Sequence, residues 1–246
     1  MRAGRREPRR GSWFRIVTGT IMALLCLLIV YQLWMLCQVA WYAYRDPGSS
    51  SVMRQELTRL QAKDPDAELR YRWVPYDRIS NNLKRAVVAS EDANFVDHDG
   101  VEWEAIRKAW EYNQRQAERK DGRRRIRGGS TITQQLAKNL FLSSSRTYIR
   151  KGQELVLAYM IEHVMAKERI LELYLNVAEW GIGVFGAEAA ARHYYNVSAA
   201  RLSAAQAARL AAMLPNPRFY DSHRGTAYLN SRTGTLLARM RLVEIP

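Results

Sequence analysis

Uncharged, mostly apolar residues run without interruption from Ile16 to Tyr44, a stretch free of Asp, Glu, Lys and Arg. About 20 such residues carry a helix across the hydrocarbon core of a bilayer, so the pattern predicts a transmembrane helix over 16–44. A cleavable signal peptide has a shorter apolar region, ~7–15 residues, followed by small residues. Here the run ends in Trp34, Trp41, Tyr42 and Tyr44, the residue types of an interfacial belt. Asp46-Pro47-Gly48-Ser49-Ser50-Ser51 then reads as a polar linker, and a short helix is expected near Val52–Gln61, ended by Asp64-Pro65-Asp66. From about Tyr71 apolar residues recur at spacings of three and four, in Leu83–Ala89, Ile132–Leu142, Ile149–Val164, Ile170–Leu175 and Ala204–Leu214. Strand-like alternation is hardly visible and no repeat occurs. Val74-Pro75 and Leu214-Pro215-Asn216-Pro217 mark helix-free boundaries. Arg115 to Arg127 is dense in charge and is expected to be mobile when empty; a plain solvated loop explains it equally well.

Length and composition narrow the class. At 246 residues the chain is one large domain, or one domain with an appendage. A content of 48% hydrophobic and 25% charged residues excludes a disordered or fibrous protein. The net charge of +14 predicts attraction to polyanions. Part of it is a topology signal: Arg2, Arg5, Arg6, Arg9, Arg10 and Arg15 precede the span with Glu7 as the only acid, which keeps the amino terminus in the cytoplasm. The part beyond the span still carries 32 basic against 23 acidic residues. Outside a membrane, nucleic acid is a poor partner, and anionic lipid or a lipid-linked phosphate is the better one. Cys26 and Cys37 both lie in the apolar run, and the four histidines are scattered, so neither a disulfide framework nor a metal site is expected. The expected division is a basic tail over 1–15, the span over 16–44, a linker or membrane-proximal segment over 45–70 and a globular domain over 71–246.

Three polar constellations could carry chemistry. In the segment from Ala89 through Glu91 and Asp92 to Gly100, a helix capped by Ser80 and ending near Ser90 leaves two carboxylates at its carboxyl end. The macrodipole disfavours negative charge there, which suits a proton-accepting side chain. Adjacent helical positions do not face one direction, so at most one of Glu91 and Asp92 reacts and the other orients the backbone; an acidic loop that merely ends a helix is the plainer explanation. In the segment Arg127 to Asn139, Thr131 and Gln134 have capping-box spacing, and Ser130 can also cap. Gly128 and Gly129 allow close backbone approach to a ligand, and a helix amino terminus holds anions. Gln134 and Lys138 share a face, so that Arg127, Ser130 and Lys138 converge on one phosphate-sized object; an ordinary capped helix is the alternative. The order of a Walker loop is absent. In Arg150-Lys151-Gly152-Gln153-Glu154, a surface ion pair between Arg150 and Glu154, worth about 0.2–1 kcal/mol, is the default. The sharper possibility makes Glu154 a second cleft carboxylate, with Arg150 and Lys151 against phosphate oxygens.

Taken together, Glu91-Asp92-x-x-Phe95-x-x-His98-x-Gly100, the run from Arg127 through Gln135 and Lys138 to Asn139, and Arg150-Lys151-x-x-Glu154 resemble the first three motifs of the peptidoglycan glycosyltransferases, glycosyltransferase family 51. Lys167-x-x-Ile170-Leu171-Glu172-x-Tyr174-Leu175-Asn176 followed by Gly181 is similar to the fourth. Gly186-Ala187-x-Ala189-Ala190 with Tyr194-Tyr195 is similar to the fifth, with Tyr195 where many members have phenylalanine. The resemblance covers about Tyr71 to Pro217. It implies a mostly α, lysozyme-like, two-lobed glycosyltransferase domain, with a head carrying the cleft and a jaw at the membrane surface, behind one N-terminal transmembrane helix. S-x-x-K and K-T-G, the marks of a penicillin-binding transpeptidase, are absent, and Ser80-Asn81-Asn82 and Arg232-Thr233-Gly234 are isolated echoes. The monofunctional members are therefore the closer match.

The resemblance implies catalytic roles for Glu91, as the base that deprotonates the 4-hydroxyl of lipid II, and for Glu154. It implies diphosphate or substrate binding by Arg127, Ser130, Gln134, Gln135, Lys138, Arg150 and Lys151. Support would come from Asp92, Phe95, His98, Gly128, Gly129, Thr131 and Asn139. The growing glycan on its polyprenyl diphosphate would be transferred with inversion. No cofactor is required, although a divalent cation, Mg or Mn, could act beside Glu154. The implied partners are lipid II, the lipid-linked strand and a bacterial inner membrane crossed once, with the catalytic domain periplasmic and a cell-wall synthesis complex as a further candidate. Two other classes stay open. A lytic transglycosylase or muramidase would cleave finished glycan with an acid and a carboxylate and without three cations; a non-catalytic membrane scaffold would need neither. Asn196-Val197-Ser198 reads as an accidental glycosylation sequon.

Overall fold

A computed structural model describes residues 10–117, 128–145 and 147–246, with side chains from residue 13 onward. Helix α1 (Arg10–Tyr44) is one continuous rod, and its Trp13–Tyr44 portion is long and apolar enough to cross a membrane. Leu24, Leu25, Leu27 and Leu28 are exposed along it, a surface that suits lipid rather than water. Only towards its end does α1 meet the rest of the chain: Val39 is fully buried, and Met35, Tyr42 and Ala43 pack on the core.

Local chemistry explains where the next helices start. Helix α2 (Ser51–Gln61) begins where the Ser50 hydroxyl accepts the Met53 N–H, and it packs on α5 with Met53 and Glu56 buried. Strand β1 (Arg70–Tyr71) follows. Helix α3 (Asn81–Glu91) starts at the Ser80 cap and stops at Glu91, as the sequence predicts. Helix α4 (Trp103–Ala117) takes in Arg115; the remainder of the charge-dense stretch, residues 118–127, including Arg127, lies outside the described residues. Helix α5 (Ile132–Phe141) opens with a complete capping box formed by Thr131 and Gln134. Such a cap is worth about 1 kcal/mol, and it fixes which α5 residues face inward.

The rest of the chain closes the core. Helices α6 (Tyr148–Val164) and α7 (Lys167–Val177) pack against α5. Strands β2 (Glu179–Gly181) and β3 (Val184–Phe185) form a small sheet with β1 in the order β1-β3-β2, β1 parallel to β3 and β2 antiparallel to it. Strands this short show no alternation in sequence. Helix α8 (Ala187–Tyr195) ends at Asn196 in the left-handed region. Helix α9 (Ala204–Met213) lies between α3 and α11 (Ala227–Arg239), and its buried Ala207, Ala208, Ala211 and Ala212 let both approach closely. The Pro215–Pro217 stretch is not helix-free throughout: Pro217 opens α10 (Pro217–Ser222), because its fixed φ and missing N–H suit a first turn. Trp180, Tyr174, Phe95 and Phe185 are the largest fully buried side chains. Tyr174 thus carries its hydroxyl into the centre of the domain.

Candidate active site

Glu91 ends α3 half-buried, with both carboxylate oxygens engaged. Gln135 Nε2 donates to Glu91 Oε2 at 3.0 Å, and the Tyr174 hydroxyl donates to Gln135 Oε1 at 3.0 Å. On the other side Ser90 Oγ lies 3.0 Å from Glu91 Oε1 and 3.2 Å from the Ala211 carbonyl oxygen, while Arg232 donates to Ser90 Oγ at 3.0 Å. Burial pushes the Tyr174 hydroxyl well above its ordinary pKa of 10, and the charges of Glu91 and Asp92 push it further. The phenol therefore stays a neutral donor. The arrangement holds one half-buried carboxylate in a fixed orientation.

Asp92 plays the orienting part expected for one of the two adjacent acids. It is buried and accepts the Ile132 N–H of the first α5 turn at 3.0 Å. Gly100 N–H donates to His98 Nδ1 at 3.1 Å, so His98 Nε2 is the donor to Asp92, at 2.9 Å and 3.1 Å to its two oxygens. Burial disfavours the imidazolium, but the hydrogen bond and charge of Asp92 outweigh it and raise the His98 pKa above its ordinary 6.5. Phe95 lies under this loop, edge-on to His98 and below the Lys167 ammonium, 4.7 Å from its ring centroid. Lys167 also donates to the His98 carbonyl and pairs with Glu162, which accepts from Thr133. Thr131 donates to the Gly100 carbonyl at 2.6 Å. The loop between α3 and α4 is thereby tied to the start of α5.

The cations stand one turn further along. Lys138 follows Gln135 by three positions, on the same stripe of α5. It is largely desolvated and makes no hydrogen bond or ion pair with another described residue. Burial lowers its pKa from the ordinary 10.5, while the nearby Glu154 charge works in the opposite direction. Glu154, buried on α6, accepts from Arg150 at 2.5 Å and from Lys151, and Lys151 donates to Ser130 Oγ at 2.8 Å. Lys138, Arg150, Lys151, Glu154 and Ser130 therefore form one electrostatic cluster. A cavity of about 290 Å³ lined by Asp77, Ser80, Asn81, Asn82 and Ala200 opens at the opposite end of α3 and contains none of these groups.

Several expectations need correcting. Gln134 is fully buried, its side chain accepts the Thr131 N–H to close the capping box, and its Nε2 has no partner among the described residues. Its neighbour Gln135 is partly exposed and reaches Glu91. Gly129 makes room for protein rather than ligand: a Cβ there would meet Ile106 Cα at 3.0 Å and the Ala105 carbonyl oxygen at 3.2 Å, both on α4. Gly128 faces open space. Asn139 is buried on α5. Arg127 cannot be assigned to the cluster, because it is outside the described residues. Each Glu154 oxygen accepts one cation's hydrogen bond, Oε2 from Arg150 and Oε1 from Lys151. Asp92, His98 and Glu102 bring candidate ligand atoms within 4.8 Å of one another, but both His98 nitrogens are already hydrogen-bonded. The contact between Ser90 and Arg232 is not legible in the sequence. They lie 142 positions apart, and no local spacing connects them.

The sequence has matches among known proteins. The Transglycosylase family model covers residues 56–241. This chain belongs to the transglycosylase family. A protein of Bordetella pertussis named biosynthetic peptidoglycan transglycosylase is 79% identical over 238 residues, 97% of this chain and 98% of the relative. Proteins of the same name from Herminiimonas arsenicoxydans and Chromobacterium violaceum are 60% and 52% identical, each across 94% of this chain. The mostly helical architecture with a small sheet fits the lysozyme-like fold that the motifs imply. Within this transglycosylase the Glu91 carboxylate and the cation cluster are linked through α5, which carries Gln135 and Lys138.

Proposed function

We propose that this transglycosylase polymerises peptidoglycan glycan strands, with the growing polyprenyl-diphosphate-linked strand as donor and lipid II as acceptor. The observation that carries this reading is the placement, along α5, of an oriented carboxylate and a desolvated ammonium that has no hydrogen-bond or ion-pair partner among the described residues, within a cationic cluster. Glu91 accepts the proton of the acceptor 4-hydroxyl. That oxygen attacks the donor's anomeric carbon as the bond from that carbon to the diphosphate oxygen breaks, and the polyprenyl diphosphate departs with the electron pair. Attack opposite the leaving group inverts the centre.

Lys138, Arg150 and Lys151, offset by Glu154, leave two net positive charges for the developing diphosphate. Such preorganised charge is the main catalytic term in sites of this kind. Glu154 positions Arg150 and Lys151, and Ser130 steadies Lys151. Helix α1 anchors the enzyme in the bacterial inner membrane, amino terminus inside, where both substrates are confined and effective concentration is high. The test is Glu91→Gln with labelled lipid II. The variant is expected to fold and bind donor while polymerisation falls at least ~100-fold. Wild-type enzyme that shortens finished glycan instead of lengthening strands would replace this reading with the lytic one.

A further inference from the structure

Helices α1 and α6 are joined by a reciprocal pair of amides. Gln32 Nε2 donates to Gln153 Oε1 at 2.8 Å, and Gln153 Nε2 donates back to Gln32 Oε1 at 3.1 Å. Gln32 is the first amide or charged side chain after Arg15. From Trp13 to Gln32 the helix rises about 30 Å at 1.5 Å per residue, the thickness of a hydrocarbon core. Aromatic residues bracket that length, Trp13 and Phe14 below and Tyr31 and Trp34 above, as at two membrane–water boundaries.

Beyond Gln32 the helix changes company. Met35, Val39, Tyr42 and Ala43 pack on the core, and Tyr42 meets Phe141 with ring centroids 5.8 Å apart. Arg169 of α7 donates to the carbonyls of Tyr42 and Arg45 and pairs with Asp46. Gln153 therefore sits beside Gln32 while α7 sits beside the end of α1, so α6 rises alongside α1. Were the boundary at Tyr44, Gln153 and the neighbouring Arg150, Lys151 and Glu154 would lie about 18 Å below it, near mid-bilayer, where charged side chains are strongly disfavoured.

We propose that the outer hydrocarbon boundary crosses the molecule at the Gln32–Gln153 pair. Residues 13–32 are then the span, and the last turns of α1 belong to the catalytic domain. Glu154 then lies level with the boundary and the Arg150 and Lys151 backbones about 3–5 Å on its hydrocarbon side, close enough for both long side chains to extend to the headgroups, while Tyr148 and Ile149, 98% and 88% exposed at the start of α6, reach into the bilayer surface. The cations thus meet a lipid-linked diphosphate at the depth where its own lipid holds it. This rests on the reading of α1 as a membrane anchor.

The two native cysteines, both free and exposed, are depth gauges. Cys26 lies about 9 Å below Gln32 and Cys37 about 7.5 Å above it along the helix. The full chain is placed in proteoliposomes with a charged, impermeant maleimide on both faces, and Cys26→Ser and Cys37→Ser variants assign the label. Thiols react as thiolates, which form in water and not in hydrocarbon, so Cys37 is expected to label at least about tenfold faster than Cys26. Labelling of neither cysteine overturns the boundary but leaves the span intact, because the membrane then extends to Tyr44. Labelling of both, or of Cys26 alone, overturns the boundary and the anchor reading with it.

Discussion

Tyr174→Phe isolates the orientation of the partner of the Glu91 carboxylate. The substitution removes one oxygen from a fully buried side chain and keeps its packing. Gln135 Oε1 loses the donor at 3.0 Å that holds its amide with Nε2 towards Glu91. A neutral buried hydrogen bond contributes about 1 kcal/mol, which lowers the melting temperature by roughly 2–4 °C in a domain of this size. The same ~1 kcal/mol, taken from the preference for the amide orientation that donates to Glu91, corresponds to about a fivefold loss of turnover. Because the phenol is held neutral, the loss should be the same across the neutral and mildly alkaline range. The assay is polymerisation of labelled lipid II in detergent, with thermal melts alongside, for Tyr174→Phe, Gln135→Leu and the double variant. The effect of Tyr174→Phe should disappear in the Gln135→Leu background. Full turnover in the single variant, or an undiminished loss in the double, would refute the relay.

Other substitutions probe the surrounding parts. Lys138→Met removes a desolvated ammonium with no hydrogen-bond or ion-pair partner among the described residues, so stability should stay within about 1 kcal/mol of the parent or rise, while turnover falls about 100-fold or more; a collapsed melting temperature with normal turnover would contradict the assigned role. His98→Gln tests the pairing with Asp92. The folded-state pKa of His98 is raised, so its stabilisation is complete below the ordinary value of about 6.5 and fades as pH rises through the raised one. The variant should therefore lose more melting temperature at pH 5.5 than at pH 9. Gly129→Ala forces a Cβ against the α4 backbone and should cost about 1–3 kcal/mol, with faster amide exchange in α4, whereas Gly128→Ala should be close to silent.

Much of the architecture is encoded in neighbouring residues. The uncharged run that becomes α1, the Ser80 cap that starts α3 and the Thr131–Gln134 box that starts α5 all depend on spacings of four residues or fewer, or on an unbroken apolar stretch. Helix periodicity and capping are local properties, so they survive in the linear order. The motif series similarly pointed to Lys138, Arg150, Lys151 and Glu154, which the structure brings together. What remained hidden depends on contacts between distant segments. Gln134 and Gln135 differ by one position and about 100° around α5. The local spacing assigns Gln134 to the cap, but only the packing of α5 within the core brings Gln135 against Glu91. Ser90 finds Arg232, and Gln32 finds Gln153, across more than a hundred residues of chain. Strands of two or three residues have no period to detect. Polar groups meet where helix faces are pressed together to bury apolar surface, and that choice is made by the whole core at once rather than by any segment alone.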